Sequence, residues 1–490
     1  MKLPLLRDIT QKFDIRSRSK SPQPPKTHPS KPFLCYALVS LVILVQVFLV
    51  VFLTRGRPES ASTSASTSAS TSTSTSTPPN LSSSDPQECP SGSVYVYDLP
   101  AILNKDLITD CDKLDQWKSK CDAVSNNGYG PKATTEFSRV VPEKLAPAWY
   151  WTDHSMGEVI YHNRILDYKC RTLEPESATA FYIPFYAGLA VGKHLWGNHT
   201  ARERDFHSER MLEWVQGQKW WKISNGSDHF IMIGRRTWDF RRREDSDSDW
   251  GSRFTHMPAM ENVLRLSVEK SVFDPMEIAV PYPTVFHPRS VPDVREWQKL
   301  VRSRTRKSLF AFVGAVKNDF GGVLMTQCRN ESDSCRPVDC GGGTTATAIM
   351  EAFLGSVFCL QPKGEVGATR RFLFECMLAG SIPVFFWKET ADEQSEKGWF
   401  LPGEMESYSV FIEESEVRKG ASVRRVLEGY HIEEVWRMRE RVVENIPKFL
   451  YGLPSDGSRS TGFRDAFDIA IEGVLGRFKD HKSSRGRKDV

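Results

Sequence analysis

The sequence predicts an α/β protein with two doubly wound domains, each with a parallel sheet flanked by helices. Short apolar runs alternate with segments of helical periodicity, and this alternation is typical of βαβ units. The pattern occurs twice, with a seam near residues 284–306. A chain of 490 residues also exceeds what one hydrophobic core normally supports. We therefore predict Rossmann-like domains at residues 89–295 and 296–480 and a basic tail at 481–490.

Individual elements follow from the same pattern. Apolar runs bounded by proline, glycine or aromatic residues predict strands at 94–100, 178–186, 229–234, 277–283, 308–315, 357–362, 382–386 and 407–412. Helical periodicity predicts helices at 140–166, 202–221, 297–307, 343–356, 369–379, 414–427, 431–449 and 462–477. Because ligands of such folds bind outside the carboxyl ends of the strands, we expect the site in the cleft between the two domains.

The N-terminus predicts a membrane anchor. Residues 33–53 are uncharged and long enough to span a bilayer as a helix, and no small-residue cleavage site follows them. Lysine and arginine are concentrated in residues 1–32, so the positive-inside rule places this tail in the cytosol. Residues 54–88 form a Ser/Thr-rich stem, which is a candidate for O-glycosylation. This layout is typical of a single-pass type II Golgi enzyme, and a surface receptor shares it.

Sequons and charge are consistent with a lumenal body. Asn80, Asn198, Asn225 and Asn330 each begin an N-x-S/T sequence on the predicted lumenal side. The net charge of +4 is mild and gives no reason to expect nucleic-acid binding.

The cysteines predict some disulfides and at least one unpaired thiol. Nine of the ten cysteines follow the predicted span, and nine is an odd number. Cys328, Cys335 and Cys340 cluster in a polar segment, where we expect disulfides and consider zinc the weaker alternative. Cys359 and Cys376 lie in apolar strand and helix patterns and are interpreted as buried thiols.

The run CLQPKGEVGATRRFLFECMLAGSIPVFF, residues 359–386, predicts an anion site. Lys363 and Gly364 follow a strand, and Thr369 is placed to cap the next helix. A helix start favours phosphate, and Arg370 and Arg371 can add fork-shaped hydrogen bonds. The alternative is a solvated helix start. Arginines at that end oppose the helix dipole unless an anion is present, which favours the anion site.

Two further residues complete the predicted nucleotide-sugar site. Glu375 lies about one turn into the helix, where its carboxylate could accept hydrogen bonds from ribose hydroxyls. Gly314 ends the strand of residues 308–315 and is predicted to belong to the same edge. A phosphate at a helix start and an acidic residue that binds the ribose are typical of nucleotide-binding sites. The sequence contains no Walker motif.

This run resembles the sugar-nucleotide motif of the exostosin-like glycosyltransferases, family forty-seven, and most of all their plant branch that decorates xyloglucan. The likeness extends over about residues 92–478. It includes VYVYDLP (94–100), ESATAFYIPFYAGL (176–189), SDHFIMIGRRTWDFRR (227–242), VPYPTVFHPRS (280–290) and FRDAFDIAI (463–471). The resemblance implies a GT-B fold and an inverting transfer, in the Golgi, of galactose from UDP-galactose to xylosyl side chains of xyloglucan.

The implied reaction needs a base, a donor and an acceptor. Asp239 and His287 are the predicted catalytic residues, although Asp239 could instead pair structurally with Arg241 or Arg242. The resemblance implies UDP-galactose and xyloglucan as partners and no separate cofactor. A divalent metal and complexes with other Golgi glycosyltransferases stay open. The D-x-D pattern in DSDSD, residues 245–249, is interpreted as a solvated loop rather than a metal site.

One departure from the branch leaves alternatives for the donor. Branch members usually carry an acid, a hydroxyl and an aromatic residue before the Thr-Arg-Arg sequence, whereas this chain has EVGA at 365–368. UDP-galacturonate or another cell-wall acceptor is therefore the first alternative. A catalytically inactive, membrane-tethered glycan-binding protein is the alternative of another class.

Overall fold

The structure, a computed structural model, describes residues 89–133, 136–271, 273–315, 319–340, 345–363, 370–390, 399–455 and 460–485. The described residues belong to one unit, residues 80–490, that is built around two sheets. The predicted tail, span and stem (1–32, 33–53 and 54–88) lie outside the described residues. Within the described part, no helix is both long enough and apolar enough to cross a membrane.

The first sheet has six strands in the order β2-β1-β3-β4-β5-β6, and every pairing is parallel. Its strands are β1 (Val94–Val96), β2 (Arg171–Thr172), β3 (Ala180–Tyr182), β4 (His229–Ile233), β5 (Leu264–Ser267) and β6 (Glu277–Ala279). The strands from β3 to β6 are buried along their whole length. Burial on both faces explains why β3 and β4 read as apolar runs rather than as alternating sequences, whereas β5 and β6 also carry the buried charged residues Arg265 and Glu277.

The second sheet has five strands in the order β11-β10-β9-β7-β8, again all parallel. Its strands are β7 (Ser308–Gly314), β8 (Cys335–Asp339), β9 (Ser356–Gln361), β10 (Ile382–Phe385) and β11 (Val410–Phe411). Two parallel sheets with intervening helices confirm the predicted α/β class.

The described helices connect and cover these strands. They are α1 (Lys105–Thr109), α2 (Cys121–Val124), α3 (Gly157–Leu166), α4 (Ala187–Gly192), α5 (Ala201–Gln216), α6 (Lys219–Ser224), α7 (Val291–Ser303), α8 (Asp319–Asn330), α9 (Ala346–Leu354), α10 (Phe372–Leu378), α11 (Glu414–Arg418), α12 (Val423–Glu428), α13 (Ile432–Asn445) and α14 (Ala466–Arg485).

The prediction of a helix at 140–166 is wrong for residues 140–156. A short 3-10 helix at Glu143–Ala148 contains Pro147, which has no N–H for a continuing helix. The chain then extends, and Trp149 and Tyr150 form antiparallel bridges with Phe286 and Lys132. Only α3 remains helical, so residues 151–156 form an irregular connection at the end of the first sheet.

The polar segment between β7 and α9 is also more ordered than its sequence suggests. It contains α8 and β8, neither of which the pattern predicts, and the Cys328–Cys335 disulfide joins them. The expectation of a disulfide in this cysteine cluster is therefore confirmed, with Cys340 left as the free thiol. Strands β2 and β5 and the short helices α1, α2 and α4 also have no prediction.

The interpretation of Cys359 and Cys376 as thiols is wrong, because the two are joined in a disulfide between β9 and α10. Both cysteines are buried, as predicted. Burial alone does not distinguish a free thiol from a disulfide, so the sequence did not reveal the pairing. Two further disulfides, Cys89–Cys170 and Cys111–Cys121, belong to the first half.

The two halves share buried contacts along the seam. Trp149, Phe286 and Trp297 are fully buried, and the Trp297 ring lies 5.0 Å from Trp149 and 5.4 Å from Phe286 between ring centroids. Helix α14, which follows the second sheet in sequence, returns to the first half. There Arg164 of α3 pairs with Asp465 at 2.6 Å, directly before α14. The domain boundaries given above stay predictions.

Candidate active site

The first-sheet edge is the set of residues that follow strands β3 to β6, and a buried carboxylate organises it. Oε1 of Glu158 accepts hydrogen bonds from the N–H groups of Gly188 at 2.6 Å and Gly234 at 3.0 Å, while Oε2 accepts from Leu189 at 3.4 Å. Burial raises the pKa of Glu158 to about 7, against the opposing effect of these hydrogen bonds. Glu158 thus ties the segments after β3 and β4 to the start of α3.

A second buried acid belongs to the same edge. Glu269 follows β5, and its Oε2 accepts a hydrogen bond of 3.4 Å from the hydroxyl of Tyr282. Burial raises the pKa of Glu269 to about 7, although the charge of Arg236 opposes this shift. The ring of Tyr282 lies 6.0 Å from that of His154, between centroids.

His154 is the titratable group of this edge that opens to solvent. Its side chain is 49% exposed, and its Nδ1 lies 3.6 Å from Oδ1 of Asp153. Asp153 also accepts from Lys120 at 2.9 Å and from the Ser155 hydroxyl at 2.7 Å. Burial of the ring against the protein lowers the pKa of His154 to about 4; the charge of Asp153 opposes this shift, and those of Arg371, Arg235 and Lys120 add to it.

Arg371 belongs to the second half of the chain, so its influence on His154 relates the two sheets. This effect of charge is the link between the start of α10 and the first-sheet edge. The charge of Arg371 thus bears on a histidine that the sequence did not single out.

Asp239 lies in this region but is fully buried. Arg235 Nε donates to its Oδ2 at 2.9 Å, and Trp250 Nε1 donates to its Oδ1 at 2.8 Å. The pairing with Arg241 or Arg242 does not form, because those guanidiniums bind Glu277 and Asp205 instead. The contacts of Asp239 are those of a residue that orients Arg235.

His287 is fully buried at the seam. Its Nε2 lies 2.7 Å from the Thr152 hydroxyl, and its Nδ1 lies 2.7 Å from the backbone oxygen of Tyr451. Burial lowers the pKa of His287 to about 4. Both ring nitrogens are therefore engaged with the protein. The catalytic roles given to Asp239 and His287 stay predictions.

The second-sheet edge holds the predicted anion site, in the part that the structure describes. Nη2 of Arg370 lies 3.5 Å from the oxygen of Val313, and a side chain at Gly314 would collide with the same guanidinium. Lys363 Nζ stands 4.0 Å above the centre of the Trp387 ring. The ends of β7, β9 and β10 therefore meet around basic side chains. Gly364 and Thr369 lie outside the described residues.

Arg371 and Glu375 flank the start of α10. The helix begins at Phe372 with Arg371 at its N-cap, three residues later than predicted. Arg371 is exposed, and it forms no ion pair with any described carboxylate. Burial raises the pKa of Glu375 to about 7, with Arg371 opposing the shift. Glu375 Oε2 is buried and accepts no hydrogen bond from the described part of the chain, which leaves it available to a ligand.

The remaining predicted sites lie on the surface of the first half and on α8. Asn198, Asn225 and Asn330 are exposed, and Asn80 lies outside the described residues. The DSDSD loop binds protein: carbonyls of Ser246, Asp247 and Asp249 accept from Arg204, and the Asp247 carboxylate accepts from Ala201 N. No group of three His, Cys, Asp or Glu residues with metal-binding geometry occurs among the residues described.

A two-sheet α/β protein with basic groups at one sheet edge and a histidine–aspartate pair at the other is suited to group transfer between two bound molecules. Comparison with known proteins gives the family. A profile of the Exostosin GT47 domain matches residues 88–427, and the chain belongs to this family.

Named relatives align over most of the chain. The xyloglucan galactosyltransferase XLT2 of Arabidopsis thaliana is 51% identical over 404 residues, which cover 81% of this chain and 77% of that protein. The xyloglucan galactosyltransferase MUR3 of the same plant is 38% identical over 84% of this chain and 65% of its own length. A xyloglucan-specific galacturonosyltransferase 1, also from Arabidopsis thaliana, is 33% identical over 80% of this chain and 58% of its own length.

Several residues of the site were missed from the sequence. His154 and Asp153 were assigned to a helix interior, and Glu158 to the same helix. Arg235 could have been found from the sequence, because it directly follows the predicted strand 229–234. Parallel sheets bind ligands at such strand ends. Glu269 follows β5, the strand that the sequence pattern did not reveal.

Proposed function

We propose that the chain is a xyloglucan galactosyltransferase of the GT-B type, which transfers galactose from UDP-galactose to a xylosyl side chain with inversion. The observation that carries the proposal is the second-sheet edge, where Arg370 and Lys363 lie at the strand ends and the buried Oε2 of Glu375 has no donor among the described residues. The 51% identity to a named xyloglucan galactosyltransferase supports the donor and acceptor classes. Hexosyl transfer is thus the activity we assign to the cleft.

In this proposal the second-sheet edge binds the donor. Arg370, Arg371 and Lys363 neutralise the diphosphate, and the arginines gain most when charge develops on the leaving group. The unpartnered oxygen of Glu375 accepts the ribose hydroxyls. Gln361, fully buried at the end of β9, also has a side-chain oxygen without a donor among the described residues and is a second candidate for this contact.

The first-sheet edge supplies the base. His154 has a pKa near 4, so it is neutral at the pH of the secretory pathway and can accept the proton of the attacking hydroxyl. Asp153 lies at Nδ1, which orients the imidazole and stabilises the cation formed after proton transfer. The acceptor oxygen then bonds to the anomeric carbon as the bond to UDP breaks on the opposite side. Asp239 positions Arg235, and His287 supports the seam.

The proposed location is the Golgi membrane, with residues 33–53 as the anchor and the described body in the lumen. Four disulfides among the described cysteines are typical of an oxidising compartment. Three exposed sequons are accessible to lumenal glycosylation.

A second donor, UDP-galacturonate, is favoured by the relative named as a galacturonosyltransferase. The test offers the purified full chain UDP-galactose, UDP-galacturonate and UDP-glucose, each with xyloglucan oligosaccharides that carry bare xylose. We expect mass spectrometry to find one added hexose with UDP-galactose, released by a β-galactosidase. A product with galacturonate alone would replace the proposed donor. Polysaccharide binding without transfer or UDP release would identify the inactive glycan-binding alternative.

A further inference from the structure

Three tryptophans cluster on the first half, and we name this cluster the aromatic platform: Trp117, Trp196 and Trp250. The ring planes of neighbours are inclined by 59° and 69°, so each ring presents its own face. The rings of Trp117 and Trp196 lie 5.0 Å apart between centroids, and those of Trp196 and Trp250 lie 4.7 Å apart. Trp117 is 65% exposed and Trp196 is 42% exposed. Adjoining exposed rings of this size are uncommon on a soluble surface without a binding role.

One end of the platform is joined to the first-sheet edge. Trp250 Nε1 donates to Asp239, and the other oxygen of Asp239 holds Arg235. The charge of Arg235 in turn acts on His154. Direct contacts thus run from the platform as far as Arg235, and the effect of Arg235 on the proposed base is one of charge.

The other end of the platform is connected to His154 through the loop that contains Trp117. Trp117 lies on a loop that the Cys111–Cys121 disulfide closes. Lys120 of this loop donates to Asp153 at 2.9 Å, and Asp153 lies beside His154. The platform is therefore anchored at two points around the proposed base, and both anchors limit its movement relative to the cleft.

We propose that the aromatic platform binds the glucan backbone of the acceptor polysaccharide, while the substituted xylose reaches His154. The inference rests on the proposed function and extends its acceptor site beyond the reacting sugar. Sugar rings of a β-linked glucan present C–H faces that pack on flat aromatic rings, and their edge hydroxyls remain in water. Indole rings offer large contact area with little loss of conformational freedom, as they do at other recognition surfaces.

A glycan carried by the protein itself is the rival occupant. Asn198 begins a sequon two residues after Trp196 and is exposed. A glycan attached there could cover Trp196 from the same molecule. An Asn198→Gln background separates this occupant from the polysaccharide.

The experiment compares Trp117→Ala, Trp196→Ala and the double variant in full-length protein, in both the wild-type and the Asn198→Gln background. Trp436→Ala is the matched control, because Trp436 is 64% exposed on α13 in the other half. Transfer is measured with polymeric xyloglucan and with a single-repeat oligosaccharide. Affinity electrophoresis in xyloglucan gels measures binding without donor.

We expect the double variant to raise KM for the polymer about tenfold, which corresponds to about 1.4 kcal/mol, with kcat and the KM for UDP-galactose unchanged. The KM for the single-repeat acceptor should change less than that for the polymer, and gel retardation should decrease in parallel. An unchanged polymer KM, or an effect that disappears in Asn198→Gln, would overturn the platform. A wild-type chain that shows no transfer would instead refute the proposed function, and gel retardation would still decide the platform.

Discussion

Replacement of His154 gives the sharpest test of the proposed acceptor chemistry. His154→Gln keeps a polar side chain of similar size and removes the proton acceptor. Loss of a positioned general base lowers kcat by roughly 10²–10⁴-fold, and we expect that range here. UDP binding should stay within about twofold, because the donor contacts assigned to Arg370 and Arg371 are untouched.

The pH dependence of the wild-type protein follows from the same residue. The active form is the neutral imidazole, whose pKa near 4 leaves only about 1% protonated at pH 6. Activity should therefore be flat above pH 6 and fall as the pH drops through about 4. Lys120→Met removes a charge that lowers the pKa of His154, so its acid limb should move upward, towards pH 6.5. Rates of UDP release, from pH 4 to 8, measure both effects.

His481→Gln is the matched control, because His481 is exposed on α14 and should keep wild-type kcat. A His154→Gln protein with wild-type kcat would refute the assignment of the base. A downward shift of the acid limb in Lys120→Met would contradict the effect of charge on His154 even if kcat fell.

Three further outcomes concern the scaffold and the platform. Arg164→Met should cost about 3–5 kcal/mol in urea unfolding, because it leaves the fully buried Asp465 without its ion-pair partner. Glu158→Gln should lower the free energy of unfolding by about 1–3 kcal/mol. The NH₂ group of the glutamine would face a backbone N–H that donates to the carboxylate in the wild type. Replacing Cys111 and Cys121 with serine should cost roughly 2–3 kcal/mol and raise the KM for polymeric xyloglucan, with the donor KM unchanged.

A surface ion pair serves as the control for the Arg164→Met measurement. Arg424 pairs with Glu428 at 2.7 Å on α12, where both side chains are partly exposed. Arg424 also pairs with Asp333 at 3.0 Å. Arg424→Met should leave the urea midpoint nearly unchanged, because exposed ion pairs are screened by water. Equal costs for the Arg164 and Arg424 variants would contradict the claim that the contact between α3 and the start of α14 fixes the return of the chain to the first half.

The sheets were predictable because their strands are buried on both faces and therefore read as apolar runs. Strand β5 escaped because LRLS contains Arg265, whose guanidinium is buried and bound to Asp274, a contact between separate segments. Helix α8 and strand β8 escaped because glycine, polar residues and cysteines interrupt their periodicity. Local pattern thus identified the architecture and missed elements that tertiary contacts stabilise.

The residues of the candidate site also fall into those that the local sequence predicts and those that only tertiary contacts bring together. Arg370, Arg371 and Glu375 share one short run, so local spacing was enough to group them. His154 was hidden because its surroundings come from α10, β4 and the loop that contains Lys120. The aromatic bridges at Trp149 end the apparent helix ahead of it, and no local signal in the sequence reports those bridges.

Binding of the leaving diphosphate by Arg371 is the central step of the proposed reaction. The direct measurement is the Kd of UDP by calorimetry, with transfer rates, for wild type, Arg371→Ala and the exposed control Arg441→Ala. Loss of charge-assisted hydrogen bonds should raise the Kd of Arg371→Ala about 10- to 100-fold and lower kcat further, while Arg441→Ala stays at wild-type values. Wild-type UDP binding and transfer in Arg371→Ala would contradict the donor site proposed for this edge.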